Sequence, residues 1–359
     1  MGSTLLRWLL GIATLLLACE LVLRALPVST STETGYHIDP LILTYPPHHA
    51  WTSSMGWDLR NAQRQRSNNF GFLARRDFAP DPAAVVLIGD SYVEASMLPA
   101  HDRPEAQLEA AIGNRPVFAM GGPGSSLLDY AERIRFASER FGVRDFVVLV
   151  ERGDMRQSLC GSGHVHGPCL DSRTLAAHVE TQPPPELTKR IFRHSALAQY
   201  LFGQLKLNPD RLWRQAVAQA RQVEPAAQEA RPRVAGTSDA AADAPMPVVD
   251  AITKAFFERV HGRIPGKLVI VVDGDRKAIY RSRPTVDAER SRFIEQARAA
   301  GAVVVDTDPL FRAQMKRSTL KLDVGPYDAH YNTLGVAVVS RAAADALRSP
   351  QRAAGSQSH

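Results

Sequence analysis

The apolar positions of this chain fall into three kinds of run. The first is 5–26, LLRWLLGIATLLLACELVLRAL. It has about the ~20 residues that cross a bilayer as a helix. Its centre, from Trp8 to Cys19, is uncharged, with Arg7 at one end and Glu20 and Arg24 at the other. Those last two are four apart and share a helix face, so they can pair near the interface. The second kind is short and apolar without alternation: 84–88, 116–120, 145–150, 267–272 and 302–306. Strands apolar on both sides are covered on both faces, which predicts a parallel sheet. The third kind has helical spacing, over 104–112, 125–141, 191–205, 249–260, 287–300 and 333–347. Gly113, Gly142 and Gly301 stand as stops, and Ser125 or Ser126 as an N-cap.

Strands and helices alternate, so the expected class is α/β: a doubly wound parallel sheet of about five strands. The expected division is an anchor over 1–27, a stalk and lead-in over 28–82, and a sheet domain over 83–159 and 249–348. An insertion fills 160–248, and a disordered tail 349–359. The insertion's second half, 216–247, is mostly Ala, Arg, Gln and Pro and lacks the large apolar residues of a rigid core.

Three readings fit the N-terminal run: an uncleaved anchor, a lipoprotein acylated at Cys19 of LLAC, or a cleaved signal. The apolar residues beyond Cys19 favour the anchor, since a signal normally ends near its cleavage site. Each of the three exports the rest of the chain, so the expected place is the bacterial inner membrane, with the folded part in the periplasm or outside. Basic residues at both ends leave orientation open. Cys160 and Cys169 flank the short glycine-rich loop GSGHVHGP. In an exported protein two nearby cysteines usually pair. His164 and His166 between them leave zinc as an alternative, although the spacing fits no common zinc pattern. The net charge of +6 on 359 residues is mild. No aromatic–basic motif or zinc-finger spacing accompanies it, so nucleic acid is not an expected partner.

In a doubly wound sheet, ligands bind at the carboxyl ends of strands. Just past the first strand stands Gly89-Asp90-Ser91-Tyr92. A serine after a strand is more often a helix cap than a nucleophile, because catalysis also needs a base and an acid that orients it. Asp328 and His330, in YDAHYNTLG before the last helix, supply that pair. Their spacing lets the carboxylate reach Nδ1 and leaves Nε2 free, and Asn332 is placed to cap the helix.

GDSY and DAHYN together resemble the SGNH/GDSL hydrolase family. The likeness is strongest to its membrane-anchored, exported members and the alginate O-acetyltransferases. NNFGF at 68–72 is similar to the Asn-x-x-Gly-Phe lead-in of anchored members. The resemblance spans roughly 69–154 and 267–346 and omits the insertion. It implies a flavodoxin-like sheet and hydrolysis or transfer of ester-linked acyl groups, commonly acetyl on sugars, without metal or organic cofactor. By position it implies Ser91 as nucleophile, His330 as base and Asp328 as orienter. Gly124 in MGGPGSS would offer its N–H to the oxyanion alongside that of Ser91, while Gly121, Gly122 and Gly124 also suit a tight turn.

The third motif departs from the family. Where Gly-Asn-Asp is usual, this chain has Arg152-Gly153-Asp154. The side-chain donor of the asparagine is absent, and one such donor is worth about 10²–10³ in turnover. Arg152, Arg156 or Gln157 is then the candidate substitute. Arg152 and Arg156 also suit an acidic sugar, against the plainer reading of solvated arginines. The expected substrate-side set is therefore Asp90, Gly124, Arg152, Gly153, Asp154 and Asn332. The expected partners are an acylated glycan or small ester, the membrane, and an envelope polysaccharide-modifying complex. The rival expectation is an SGNH-fold protein of weak activity that binds polysaccharide or supports envelope assembly.

Overall fold

The computed structural model describes residues 2–162, 166–182, 187–205, 207, 246–325 and 328–350. His164, nearly all of the Ala/Arg/Pro stretch and most of the tail lie outside them. The chain divides into two compact units.

The larger unit comprises Glu33–Ala50, Arg66–Pro183 and Ala241–His359. It opens with a hairpin of β1 (Gly35–Asp39) and β2 (Ile42–Thr44), and carries a second small antiparallel pair, β8 (Pro168–Leu170) and β9 (Ala177–Val179). Its centre is a parallel sheet of β5 (Val85–Gly89), β6 (Val117–Gly121), β7 (Asp145–Val150), β10 (Leu268–Val272) and β11 (Val303–Asp306). The spatial order is β11-β10-β7-β5-β6. Counted within the sheet that is 2-1-3-4-5, the flavodoxin-like winding, which reverses beside the first strand.

Side chains alternate across this sheet and build two cores. Val86, Ile88, Phe146, Val148 and Ile270 face one layer. It holds α4 (Leu127–Phe141) and the helices Met246–Val260 and Ala288–Ala299. Val85, Leu87, Val147, Leu149 and Val271 face the other. That layer holds α3 (Pro104–Ala111), the helix Thr307–Arg317 and the last helix, Thr333–Arg348. Ser126 and Asp129 close a capping box on α4, and Gly142 ends it in the left-handed region.

The five expected strands and the helices that cover them are present, with ends shifted by no more than three residues. Two features differ from expectation. The lead-in over 28–82 is structured: besides the first hairpin it holds β3 (Ala50–Met55) and β4 (Arg60–Arg66), and Ile42, Phe72 and Phe78 enter the core of the larger unit. Helices Arg276–Tyr280 and Thr307–Arg317 were not anticipated. Their N-caps, Asp275 and Asp306, form tight side-chain caps that the charged sequence hid.

The smaller unit comprises Met1–Thr32, Trp51–Gln65 and Pro184–Ala240. Helix α1 (Gly2–Ala25) is long and apolar enough to cross a membrane, and most of its leucines are exposed. At about 1.5 Å per residue it reaches past the ~30 Å hydrocarbon layer.

Candidate active site

Ser91 is delivered by a short, crowded turn. A Cβ on Gly89 would lie 2.5 Å from Val93 Cγ2, so β5 must end in glycine for α2 (Ser91–Glu94) to turn so sharply. Asp90 is the cap of α2, and its Oδ1 accepts from Tyr92 N at 2.9 Å. Asp90 Oδ2 lies 3.4 Å from Ser91 Oγ, a weak contact. Gly121, at the end of β6, presses on the same turn: its missing Cβ would sit 2.3 Å from Glu94 N. Gly122 N donates to Gly89 O at 3.2 Å, tying the next loop to the strand that carries the serine. Gly124 lies in that loop with φ of +74°, a conformation that favours glycine.

The partners arrive from the other end of the chain. β12 (Asp323–Gly325) and β13 (Asp328–Tyr331) form a small antiparallel hairpin outside the main sheet. Ser91 Oγ lies 2.8 Å from His330 Nε2, and His330 Nδ1 lies 2.6 Å from Asp328 Oδ1. The same carboxylate oxygen accepts from His330 N at 2.9 Å, which fixes the backbone as well as the ring. Asp328 accepts only, so the tautomer with the proton on Nδ1 is assigned, and Nε2 is left to accept from the serine.

Solved structures similar to this chain include a lipolytic protein, an α/β hydrolase and a carbohydrate esterase. A member of the lipolytic protein G-D-S-L family from Veillonella parvula has 13% identity and a TM-score of 0.37, covering 73% of this chain and 96% of that one. An α/β hydrolase from the metagenome of Lake Arreo has 14% identity and a TM-score of 0.37, covering 76% and 99%. A carbohydrate esterase family 2 enzyme from Corynascus thermopiles has 10% identity and a TM-score of 0.34, covering 79% and 70%. No protein-family profile and no curated protein sequence matches the chain. With scores this low the likenesses carry no weight for the site, whose reading rests on the geometry given above.

Electrostatics suit a poised base. Burial opposes charge on His330, but the bond to Asp328 outweighs it and holds the imidazole above its ordinary range. Burial also works to raise Asp328, and the bond from His330 reverses that and lowers it. Around the pair lie buried acids. Burial raises Asp90. Glu151, just past β7, is pushed up to about 7 by burial and then by the charge of Asp90.

A highly connected residue near Ser91 and His330 is one that sequence reasoning missed. Arg276 donates from Nη1 to both oxygens of Asp273 at 2.9 Å and from Nε to Asp323 Oδ1 at 2.7 Å. Its Nη2 donates to Tyr92 OH at 2.8 Å and to Ala329 O at 2.5 Å. Its guanidinium also lies over the rings of Tyr92 and Tyr331. One buried cation therefore joins the loop after β10, the residue following the nucleophile, and the backbone between Asp328 and His330. Tyr92 completes the tie: its OH donates to Ala329 O at 3.0 Å, and its ring centre is 4.7 Å from that of His330. The signal available in the sequence was Asp273-Gly274-Asp275-Arg276 directly after an apolar strand, a charged cluster where ligands usually bind. Arg133, fully buried in α4, was missed as well. Its Nη1 donates to Gly89 O at 2.7 Å and Met120 O at 3.1 Å, holding together the two strand ends beside the serine.

The remaining expected site residues are occupied elsewhere. Asn332 caps the last helix through Gly335 N at 2.9 Å. Its amide donates to Lys321 O and Asp323 O, so it pins the loop that carries His330. Asp154 is completely buried; its Oδ2 accepts from Tyr130 OH at 3.0 Å and from Glu151 N at 2.7 Å. Arg152 pairs with Asp287 at 2.9 Å and Asp275 at 3.5 Å, and Arg156 with Glu289 at 2.9 Å. A Cβ on Gly153 would be 2.9 Å from both Glu151 Oε2 and Gln157 Nε2, which leaves little room there for an asparagine side chain. Cys160 and Cys169 are joined in a disulfide with Cα atoms 5.1 Å apart, so neither thiolate is available as a zinc ligand. His166 Nδ1 lies 3.8 Å from Glu180.

Proposed function

We propose that this chain is a membrane-anchored, exported serine esterase or O-acyltransferase that acts on acyl esters, most simply acetyl, of a cell-envelope or secreted polysaccharide. The observation that carries the reading is the unbroken row Ser91 Oγ, His330 Nε2, His330 Nδ1, Asp328 Oδ1, with separations of 2.8 and 2.6 Å. A capping serine has no need of a base that is itself held by a carboxylate.

In this mechanism His330 Nε2 takes the Ser91 proton as Oγ bonds to the acyl carbonyl carbon. The oxyanion that forms is met by the backbone N–H groups of Ser91 and Gly124. His330 then gives the proton to the leaving alkoxide as the ester bond breaks and an acyl-Ser91 remains. Water, or a sugar hydroxyl, attacks that acyl group with His330 again as base. Asp328 stabilises the imidazolium throughout and keeps its own charge. The oxidising compartment needed for the Cys160–Cys169 bridge and the long apolar α1 both support export.

A second reading, a weakly active polysaccharide-binding protein, is favoured by Gly153 standing where the third motif usually has its asparagine donor. One experiment separates the two. Full-length chain in detergent is treated with a fluorophosphonate probe and weighed, then offered p-nitrophenyl acetate and acetylated xylan. An adduct on Ser91 with turnover that Ser91→Ala abolishes supports the esterase. Glycan binding without adduct or turnover supports the binding protein. Transfer of acetyl to an added oligosaccharide selects the transferase branch.

A further inference from the structure

The smaller unit presents an arrangement that the esterase reading does not use and that stands independently of it. Glu20 sits within the apolar helix α1, about 8 Å before its end at Ala25 by helical rise. An ionised side chain at that depth requires partners. Its carboxylate accepts from Ser195 Oγ at 2.9 Å, Ala196 N at 3.0 Å and Leu197 N at 2.9 Å, and from Arg24 Nε at 2.7 Å. Arg24 Nη2 in turn donates to His194 O at 3.0 Å. The start of the short helix Ala196–Ala198 is therefore fastened to α1 about 8 Å before that helix ends.

The attachment continues along the same segment. Gln204 accepts from Ser29 N at 3.1 Å and donates to Gly56 O at 2.7 Å, and Tyr200 OH donates to Trp57 O at 2.8 Å. A collar made of 187–205 and the turn between β3 and β4 is thus held to the end of α1. On this collar large apolar side chains face outward. Trp57 is 75% exposed, Leu187 68%, and Phe192 and Phe202 stack on each other at 5.4 Å while both stay exposed. Arg190 and His194 are exposed in the same stretch. Aromatic rings with basic neighbours beside a spanning helix are the composition of a membrane interface.

We propose that this collar seats in the headgroup–acyl boundary of an anionic phospholipid bilayer, on the face where α1 emerges, with Trp57, Leu187, Phe192 and Phe202 as its lipid contacts. The occupant is lipid rather than a second protein because the collar is bonded to a residue inside the spanning helix, so its apolar side chains share that helix's depth. An interfacial segment lies roughly 5–10 Å into the boundary.

The test uses the full chain in nanodiscs of anionic phospholipid, with Cys19→Ser and the Cys160–Cys169 bridge intact. A nitroxide is placed in turn at Trp57→Cys, Phe192→Cys and Phe202→Cys, with Arg64→Cys as the exposed reference. At interfacial depth the collar labels give an oxygen-to-nickel-chelate collision ratio about tenfold above that of Arg64→Cys. Glu20→Gln moves the Phe192 and Phe202 labels toward the reference value while the chain stays in the disc. Equal ratios at all four sites overturn the proposal. An unmodified chain serves where a label disturbs folding: a phospholipid carrying a photoactivated carbene gives adducts on 187–205 and Trp57 as well as on α1. Adducts confined to α1 overturn it equally, and leave the collar facing water or a protein partner.

Discussion

The turns that follow β5 and β7 lie side by side in one sheet, and both looked from sequence like parts of a substrate site. After β5 the crowding of Gly89 and Gly121 forces a tight corner, and the one reactive side chain it presents, Ser91, has His330 as its close partner. After β7 the polar side chains are consumed by their neighbours: Arg152 by Asp275 and Asp287, Arg156 by Glu289, Asp154 by Tyr130 and the backbone of Glu151. Position at a strand's carboxyl end is therefore insufficient. A residue is free for chemistry when the surrounding fold has not already paired it.

That contrast can be attacked from the β5 side first. Ser91→Ala removes the proposed nucleophile, and ester turnover is expected to fall by about 10⁴–10⁶-fold with thermal stability unchanged. Retained turnover in a folded Ser91→Ala chain would end the triad assignment. Asp328→Asn allows the wrong imidazole tautomer, and the expected loss in kcat is about 10³–10⁴-fold, read with p-nitrophenyl acetate.

Arg276→Ala sharpens the comparison, because this arginine acts on the proposed triad through Tyr92, Ala329 and the hairpin strand at Asp323. It leaves the buried Asp273 without its cation, at a cost of about 3–5 kcal/mol in unfolding free energy. It also loosens the His330 loop, so kcat drops by about 10²-fold while KM moves little. Arg276→Lys, which keeps charge but not the fork, should recover more stability than activity. A purely structural role would move both together.

The pH dependence follows from the shifts at the triad. His330 is held above its ordinary range, so the neutral base accumulates, and kcat/KM climbs, only as pH rises through that raised value. The Asp328–His330 pair contributes to stability between two limits. The part owed to His330 is complete below its unfolded pKa and is lost as pH rises through the folded one. The part owed to Asp328 is present above its unfolded pKa and is lost as pH falls through its lowered folded one. A pH series of unfolding midpoints for the native chain and for His330→Gln isolates both limbs.

The smallest expected effect is on the β7 side. Arg152 is half exposed, and Asp287 keeps the backbone donor of Arg290 N when the arginine is removed, so Arg152→Ala changes stability by about 1 kcal/mol. Turnover of a neutral ester should stay within about twofold, the range that surface pairs usually leave untouched. A large rise in KM for an acidic glycan alone would show that Arg152 leaves its carboxylates to meet substrate, and would erase the difference between the two turns.

Much of this was legible in the chain itself. Apolar runs of five or six residues, too short for helices and rich in β-branched side chains, read as doubly covered strands, and the glycine-bounded helical spacings between them set the alternation. Ser91, Asp328 and His330 were found as local words, because nucleophile and base each need close sequence neighbours to position them. The hairpins of the lead-in were not seen, since their strands are short, polar and stabilised by packing. Arg276 was not seen because Asp273, three residues before it, reads as one more surface charge, and its other partners, Asp323, Tyr92 and Ala329, are distant in the chain. Arg133 was not seen because the carbonyls it holds, those of Gly89 and Met120, leave no mark in the sequence.

The sequence by itself determined the α/β layering, the long apolar N-terminal run and the residue types that each turn carries, since those depend on periodicity and on residue type within a few positions. Only the tertiary structure decided which of those groups are free. Pairing across 239 positions for Ser91 and His330, and the capture of Arg152, Arg156 and Asp154 by their neighbours, depend on distances that chain order does not encode.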